Sequence, residues 1–313
     1  MELEYPWNYN SRRSAVQATQ GMVATSHPLA AQAGLNVLQD GGSAADAAVT
    51  TAAVLNVVEP HMTGIGGDMF ALIHHDGAIT GLNGSGRAPE DADIDTYRQR
   101  TDAERDGEPV MPASGGLPVT VPGALDAWHR LLDRFGTRSL EAVVRPGALD
   151  GWHRLVNEYG RRELGELLAP AIMYAREGFP VSEYVATQWQ RSEERLGRFD
   201  QAAETFLPGG TAPRSGELFQ NRELAETLEI IANEGIQALY GGEIGADIVD
   251  TVQAHGGALR LEDLESHEGE WTDPISTTYR GLEVLEHPPN GQGTIALTAL
   301  NIVEQFDLPD EIT

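Results

Sequence analysis

The stretch Glu59-Pro-His-Met-Thr-Gly-Ile-Gly-Gly-Asp-Met-Phe70 decides the fold because of the segments on either side of it. Upstream, residues 43–58 are almost free of charge and rich in Ala and Val. Ser43 is a favourable helix N-cap, and Asp46 places a carboxylate in the first turn, where the helix dipole stabilises it. The sequence therefore predicts a buried helix that ends directly before the glycines.

Downstream of the glycines lie two short apolar runs, residues 69–73 and 78–82. They are separated by Asp76-Gly77, a dipeptide that favours a type I′ hairpin turn. A dinucleotide-binding loop needs the opposite order, strand, glycines and then helix. We therefore interpret the glycines as a sharp turn from a buried helix into a central strand.

Elsewhere, Ser26 is the predicted N-cap of a helix that runs through Gln39. Residues 88–118 are polar and rich in Pro and Gly, and predict an irregular surface excursion. Helices are predicted over residues 221–234, 242–253 and 294–304, and a strand over residues 281–286. These alternating helical and extended segments predict an α/β protein.

Together with Asn83-Gly-Ser-Gly-Arg-Ala-Pro89, this arrangement resembles the γ-glutamyltranspeptidase family. Further motifs carry the resemblance over residues 15–308, at Gly21–Ala31, Gly41–Ala48, Val121–Gly123, Leu167–Ile172, Glu177–Pro180, Tyr279–Gly281 and Pro288–Gly293. It implies part of a four-layer αββα N-terminal-nucleophile hydrolase sandwich, incomplete without the small-subunit half. Residues 1–14 are expected to be a tail, and residues 15–313 the large-subunit region.

The resemblance also implies the chemistry. The precursor of such an enzyme cuts itself before a Thr, whose hydroxyl attacks the acyl carbonyl while its freed α-amine serves as base. That Thr lies well downstream of the Pro288–Gly293 loop in the family, whereas Thr313 follows Gly293 by 20 residues. We therefore expect no catalytic residue in this chain. The half that carries the nucleophile would come from a separate reading frame, or it is missing. Thr277-Thr278 is interpreted as an ordinary strand. No cofactor or metal is implied.

Within the large subunit, the resemblance implies one arginine that binds the substrate carboxylate, a task suited to a guanidinium fork. That arginine usually lies four residues before the Pro of the Ala-Pro pair. Ser85 holds this place, and the nearest arginine is Arg87. Ser85 and Arg87 are therefore the candidate substrate-binding residues. The alternative is that Arg87 pairs with a local carboxylate such as Glu90 or Asp91.

The function implied is γ-glutamyl transfer or hydrolysis on glutathione or a related γ-glutamyl amide. Two alternatives remain open. The chain could be a truncated, inactive pseudo-enzyme or binding remnant, or a family member that hydrolyses another acyl amide. A small-molecule substrate is expected in the active cases.

Charge limits the partners. The formal net charge is −27, and all 21 basic residues are Arg, with no Lys. This excess repels nucleic acid and anionic membranes, so neither is expected as a partner. The acidity indicates a solvated acidic surface, or adaptation to high salt, where screening relieves self-repulsion.

Cysteine and hydropathy patterns limit the class further. The chain has no Cys, which excludes disulfides, thiol catalysis and thiolate metal sites. The first 20 residues lack the apolar region of a secretory signal, and residues 44–58 fall short of the ~20 that a membrane span needs. These patterns predict a cytoplasmic location.

One helical segment is duplicated. Pro122-Gly-Ala-Leu-Asp-Ala-Trp-His-Arg-Leu131 returns as Pro146-Gly-Ala-Leu-Asp-Gly-Trp-His-Arg-Leu155, so the repeat units are 122–145 and 146–169. We expect one copy to pack in the family position and the other to extrude or to displace it. The Trp-His pair of each copy is interpreted as helix packing with an exposed imidazole.

Two further patterns suggest sites that the context disfavours. Gly291-Gln-Gly-Thr-Ile-Ala296 matches G-x-G-x-x-A, but Pro288-Pro-Asn290 separates it from the preceding strand, against a nucleotide site. His74 and His75 are neighbours on a predicted strand and point to opposite faces, against joint metal ligation.

Overall fold

The computed structural model describes residues 16–137 and 164–306. These residues form two compact units. Of the described residues, the larger unit comprises 23–69, 84–137 and 164–269, and the smaller one contains 16–22, 70–83 and 270–306. The larger unit is mainly helical, whereas the smaller one holds the longer strands.

The larger unit begins with helices α1 (Pro28–Gln39) and α2 (Ala44–Val58). The predicted start of α2 is confirmed as a capping box. The Asp46 N–H donates to Ser43 Oγ at 3.2 Å, and the Ser43 N–H donates to the Asp46 carboxylate at 2.7 Å. Most of α2 is buried, as expected for a helix without a charged face.

Helix α1 begins one residue later than the sequence predicts. Its N-cap is His27, whose Nδ1 accepts the Leu29 N–H at 3.3 Å, and Pro28 occupies the first helical position. Ser26, the predicted cap, instead donates its hydroxyl to Glu59 Oε2 at 2.7 Å. Ser26 therefore connects the start of α1 to the end of α2, a contact that local sequence rules do not reveal.

Further helices complete the larger unit, and the predicted helices over residues 221–234 and 242–253 are confirmed to within a residue. They are α3 (Ile94–Arg100), α4 (Ala124–Phe135), α5 (Leu164–Glu177), α6 (Glu183–Arg191), α7 (Glu193–Leu196), α8 (Asp200–Phe206), α9 (Arg222–Glu234), α10 (Gln237–Tyr240), α11 (Glu243–Ala254) and α12 (Leu261–Glu265). Helix α5 packs against both α2 and α9. Leu167, Leu168, Leu228 and Ile231 are fully buried in this core.

Short strand pairs accompany these helices: β3 (Glu104–Arg105) pairs with β4 (Glu108–Pro109), and β5 (Phe179–Pro180) pairs with β6 (Leu218–Phe219). Phe179 and Phe219 lie opposite each other, and the Trp189 ring meets Phe219 edge-on at 4.7 Å. The aromatic rings therefore hold the second strand pair against α6.

The first copy of the duplicated segment is α4. It buries Leu125, Trp128 and Leu131 in the larger unit, while its second copy lies largely outside the described residues. His129 is half-buried and its Nδ1 is shielded from solvent, so the prediction of an exposed imidazole is wrong for this copy. This burial depends on tertiary packing, which sequence periodicity does not show.

The smaller unit contains a three-stranded sheet in the order β1 (Met69–His75), β2 (Ala78–Gly84), β7 (Glu270–Thr272). The predicted type I′ turn between β1 and β2 is confirmed, with φ of 48° at Asp76 and 78° at Gly77. A separate hairpin pairs β8 (Ile275–Tyr279) with β9 (Leu282–Glu286), and helix α13 (Gly293–Val303) packs on it. These elements agree with the strand and helix predicted at residues 281–286 and 294–304.

The smaller unit leaves large apolar side chains in contact with solvent. Leu282 is 70% exposed, Ile295 65% and Ile302 56%, and Phe70 and Leu72 on β1 are also exposed. These side chains lie on β1, β9 and α13 of the smaller unit. None of the helices in the described part of the chain has the length and apolarity to cross a bilayer.

Candidate substrate-binding site

The glycine run ends against the start of α4. The carbonyl of Gly67 accepts two backbone N–H groups, from Gly123 at 2.9 Å and from Ala124 at 3.0 Å. The first amides of a helix have no partner within the helix, so this carbonyl satisfies donors that would otherwise be unpaired. The opening motif and the Val121-Pro-Gly123 motif therefore meet in the larger unit.

The role assigned to the glycines of this run needs correction. Gly64, Gly66 and Gly67 all have ordinary φ angles, and a Cβ added at Gly64 or Gly66 would meet nothing within 4 Å. The turn therefore needs no positive φ angle. A Cβ at Gly67 would lie 3.1 Å from the carbonyl oxygen of Gly64, so Gly67 alone of the three is closely packed. The stronger steric need for glycine lies in the next motif.

In that motif, Gly84 and Gly86 lie against the backbone of Val121–Gly123. A Cβ at Gly86 would overlap the carbonyl of Val121, and one at Gly123 would overlap the carbonyl of Gly84. The Val121 N–H also donates to the carbonyl of Arg87 at 3.0 Å. Close backbone packing thus determines the path of the chain through Ser85 and Arg87.

Arg87 projects into solvent from this segment. Its side chain is exposed, and its guanidinium forms no ion pair or hydrogen bond among the described residues. Of the two local carboxylates that could hold it, Asp91 pairs instead with Arg260, and no ion pair joins Glu90 to Arg87 among the described residues. Ser85, at the position where the family usually has its arginine, is half-buried. The arginine is therefore available for an anionic ligand.

A buried polar cluster lies at the start of α4. Asp126 is 5% exposed, and its carboxylate accepts Arg130 Nε at 2.7 Å and the Gly269 N–H at 2.7 Å. The Tyr240 hydroxyl accepts the Asp126 N–H at 3.0 Å and donates to the carbonyl of Pro122 at 2.8 Å. Burial raises the pKa of Tyr240, so this phenol stays protonated and keeps its donor role.

His267 completes this cluster and was missed by sequence reasoning. Its ring stacks on Tyr240 at 5.6 Å, and both ring nitrogens are buried without a hydrogen-bond partner among the described residues. Burial lowers the pKa of His267, opposed by Asp126 and assisted by the positive charges of Arg130 and Arg87. No motif of the sequence marks His267, because its neighbours come from distant segments.

The histidines predict how stability depends on pH. Burial lowers the pKa values of His27, His61 and His267 from their ordinary value of 6.5, so the unfolded chain binds protons more readily. These histidines contribute fully to the free energy of unfolding above pH 6.5. The contribution is lost as the pH falls from 6.5 through their lower pKa values in the folded state. Urea unfolding at pH 7.5 and pH 5.0 should show lower stability at pH 5.0, and His267→Gln should reduce the difference. An unchanged difference in this variant would contradict the assignment to His267.

The other residues singled out by sequence take structural places. Thr277-Thr278 lies inside β8, where Thr277 Oγ1 donates to Asn301 Oδ1 at 2.5 Å. Gln292 caps α13 without a side-chain hydrogen bond. His74 and His75 are consecutive in β1, and the described residues contain no group of three metal-ligating side chains.

The mixed α/β fold is that of part of an N-terminal-nucleophile hydrolase, as the solved structures that it matches show. Residues 30–146 and 141–313 match the profile described as Gamma-glutamyltranspeptidase. The chain therefore belongs to the γ-glutamyltranspeptidase family, an enzyme family of acyl transfer and hydrolysis, and this resemblance is confirmed.

The proteins similar to this chain include relatives named as glutathione hydrolases and relatives named as acylases. The glutathione hydrolase-like YwrD proenzyme of Bacillus subtilis (strain 168) is 38% identical over 94% of this chain and 50% of its own length. The crystal structure of cephalosporin acylase from Bacillus halodurans is 42% identical, with a TM-score of 0.80, over 96% of this chain and 52% of that chain. The crystal structure of Helicobacter pylori γ-glutamyltranspeptidase is 29% identical, with a TM-score of 0.79, over 94% of this chain and 78% of that chain. The chain spans about half the length of the curated relatives it matches.

Proposed function

We propose that this chain is the large-subunit portion of a γ-glutamyltranspeptidase-family acyltransferase or hydrolase, in which Arg87 binds an anionic group of the acyl donor. One observation carries the proposal. The guanidinium of Arg87 is exposed and makes no ion pair or hydrogen bond among the described residues, while Gly84 and Gly86 determine the path of its backbone. A guanidinium fork presented in this way can accept a carboxylate through two parallel hydrogen bonds.

In this proposal the chain binds and orients the donor, and the covalent steps belong to the other half. A Thr outside this chain attacks the donor carbonyl and its α-amine takes the hydroxyl proton. The amine then passes this proton to the leaving nitrogen as the C–N bond of the amide breaks. Water or an acceptor amine then resolves the acyl-enzyme. The relative from B. subtilis is named a proenzyme, which supports a partner half produced by cleavage. The exposed apolar side chains of the smaller unit supply a surface for such a half.

The donor we propose first is glutathione or a related γ-glutamyl amide, whose α-carboxylate suits Arg87. A specific observation favours a second candidate, a different acyl amide. Ser85 stands where the family usually has its arginine, and the acylase from B. halodurans is 42% identical to this chain. A guanidinium displaced by two residues meets a donor anion in a different place, so the preferred acyl group can differ.

The test uses the chain co-expressed with the nucleophile-bearing half of the B. subtilis relative. We expect Arg87→Ala to lower kcat/KM for γ-glutamyl-p-nitroanilide by roughly 100-fold, since a charge-assisted pair contributes about 1.5–3 kcal/mol. Arg87→Lys should recover part of the loss, because it restores the charge but not the fork. Arg191→Ala is the matched control, since Arg191 is also exposed and makes no ion pair among the described residues.

Two outcomes would count against the proposal. Equal values of kcat/KM for Arg87→Ala and Arg191→Ala would show that Arg87 does not bind the substrate. An assembled enzyme that hydrolyses simple acyl anilides, but not the γ-glutamyl anilide, would replace the first donor with the second candidate.

A further inference from the structure

The stretch 88–120 lines an open cavity of about 340 Å³. The two ends of the stretch meet at the hydrogen bond from the Val121 N–H to the carbonyl of Arg87, at 3.0 Å. Helix α3 and the β3–β4 pair lie between these ends, although the sequence predicts an irregular excursion here. The prediction is wrong because the Asp93 side chain caps α3, and Asp106-Gly107 forms a tight turn with φ of 57° and 81°. The lining residues therefore all belong to one segment, whose two ends are joined by this backbone hydrogen bond.

The lining is mainly apolar. Ile94 and Tyr97 of α3 contribute to it, together with Val110, Met111 and Leu117. Leu117 is buried, whereas Ile94 is 70% exposed and Met111 is 55% exposed at the rim. Water therefore contacts apolar surface at this cavity. An apolar ligand would cover that surface, and its removal from water would favour binding.

Three polar side chains of the lining, Asp93, Arg98 and Thr101, have partners in the protein. The Asp93 carboxylate accepts the N–H groups of Asp95 and Thr96 at 3.0 and 2.9 Å. The Thr101 hydroxyl donates to the carbonyl of Val110 at 2.8 Å, and Arg98 lies 3.9 Å from Asp95. Burial raises the pKa of Tyr97, so its phenol is uncharged. An uncharged ligand would disturb none of these contacts.

We propose that this cavity binds an uncharged small molecule with an aromatic ring or a branched aliphatic group. The volume lies in the range of pockets that hold small organic ligands. An apolar lining around this volume suits a small molecule. Arg87 is not among the lining residues, all of which belong to this chain.

The test measures binding of N-phenyl-1-naphthylamine, an uncharged fluorophore, to the full chain. We expect a saturable increase in fluorescence with one molecule bound per chain. Ile94→Asp should weaken binding at least tenfold, because it places a charge on the rim. Ile94 is the first residue of α3, where a carboxylate is favourable, so the fold should be preserved. Ile295→Asp is the matched control, since Ile295 is 65% exposed in the smaller unit.

A second pair of variants tests the interior. Ala92→Trp fills the cavity and should also weaken binding tenfold or more, whereas Ala103→Trp, in the same stretch but outside the lining, should not. Wild-type affinity in Ile94→Asp and Ala92→Trp would overturn the proposal. So would loss of binding in Ile295→Asp alone, which would place the probe on the apolar surface of the smaller unit. Neither result depends on amide hydrolysis, so the proposed function is tested separately.

Discussion

Replacing Gly86 with Ala is expected to lower the free energy of unfolding by about 3 kcal/mol. A Cβ at this position would overlap the carbonyl of Val121, so two backbone segments would have to separate. That separation would also strain the hydrogen bond between the Val121 N–H and the carbonyl of Arg87. The effect is large because backbone atoms cannot move aside as a flexible side chain can.

Gly66→Ala is the matched control for this prediction. Gly66 has an ordinary φ angle and open space around its added Cβ, so its free energy of unfolding should change by less than about 1 kcal/mol. Urea unfolding followed by circular dichroism measures both variants. Equal destabilisation by the two substitutions would show that the motif around Gly86 has no special steric requirement.

The second large effect concerns salt. We propose that the net charge of −27 adapts the protein to high ionic strength. The Debye length falls from about 10 Å at 0.1 M to about 3 Å at 1 M, which screens repulsion between carboxylates at the surface. We expect Tm to rise by roughly 10 °C or more between 0.1 and 2 M KCl, equivalent to several kcal/mol for a chain of this size.

Part of the expected salt dependence of Tm can be assigned to one group of carboxylates. A groove beside α9 and α11 is lined by five acidic side chains and by no arginine among the described residues: Glu223, Glu226, Glu234, Glu243 and Asp247. Changing all five to their amides should reduce the rise of Tm with KCl. The wild-type chain in sucrose provides the control for general solute exclusion. A Tm independent of KCl would exclude the adaptation to salt.

Local rules predicted much of the fold correctly. The capping box of Ser43 and Asp46 joins residues three apart, and the Asp76-Gly77 turn depends on two adjacent φ angles. Both features are encoded within a few residues and were visible in the sequence. The cap of α1 was misplaced because Ser26 is occupied by Glu59, 33 residues away.

The candidate site was predictable only in part. The motif identified Arg87 as a candidate but left open whether Glu90 or Asp91 holds it. That question depends on Arg260, which pairs with Asp91 from 169 positions further along the chain. His267 could not be predicted, because its environment is formed by Tyr240 and by the buried carboxylate of Asp126.

By itself, the sequence determined the family, the order of helix, glycine run and hairpin, and the acidity of the surface. These properties depend on residue types and on short-range backbone preferences. Only the tertiary structure decided which glycines are sterically required, which arginine is free to bind an anion, and where an apolar cavity forms. Each of these depends on atoms brought together from distant parts of the chain, and spacing along the sequence does not record their contacts.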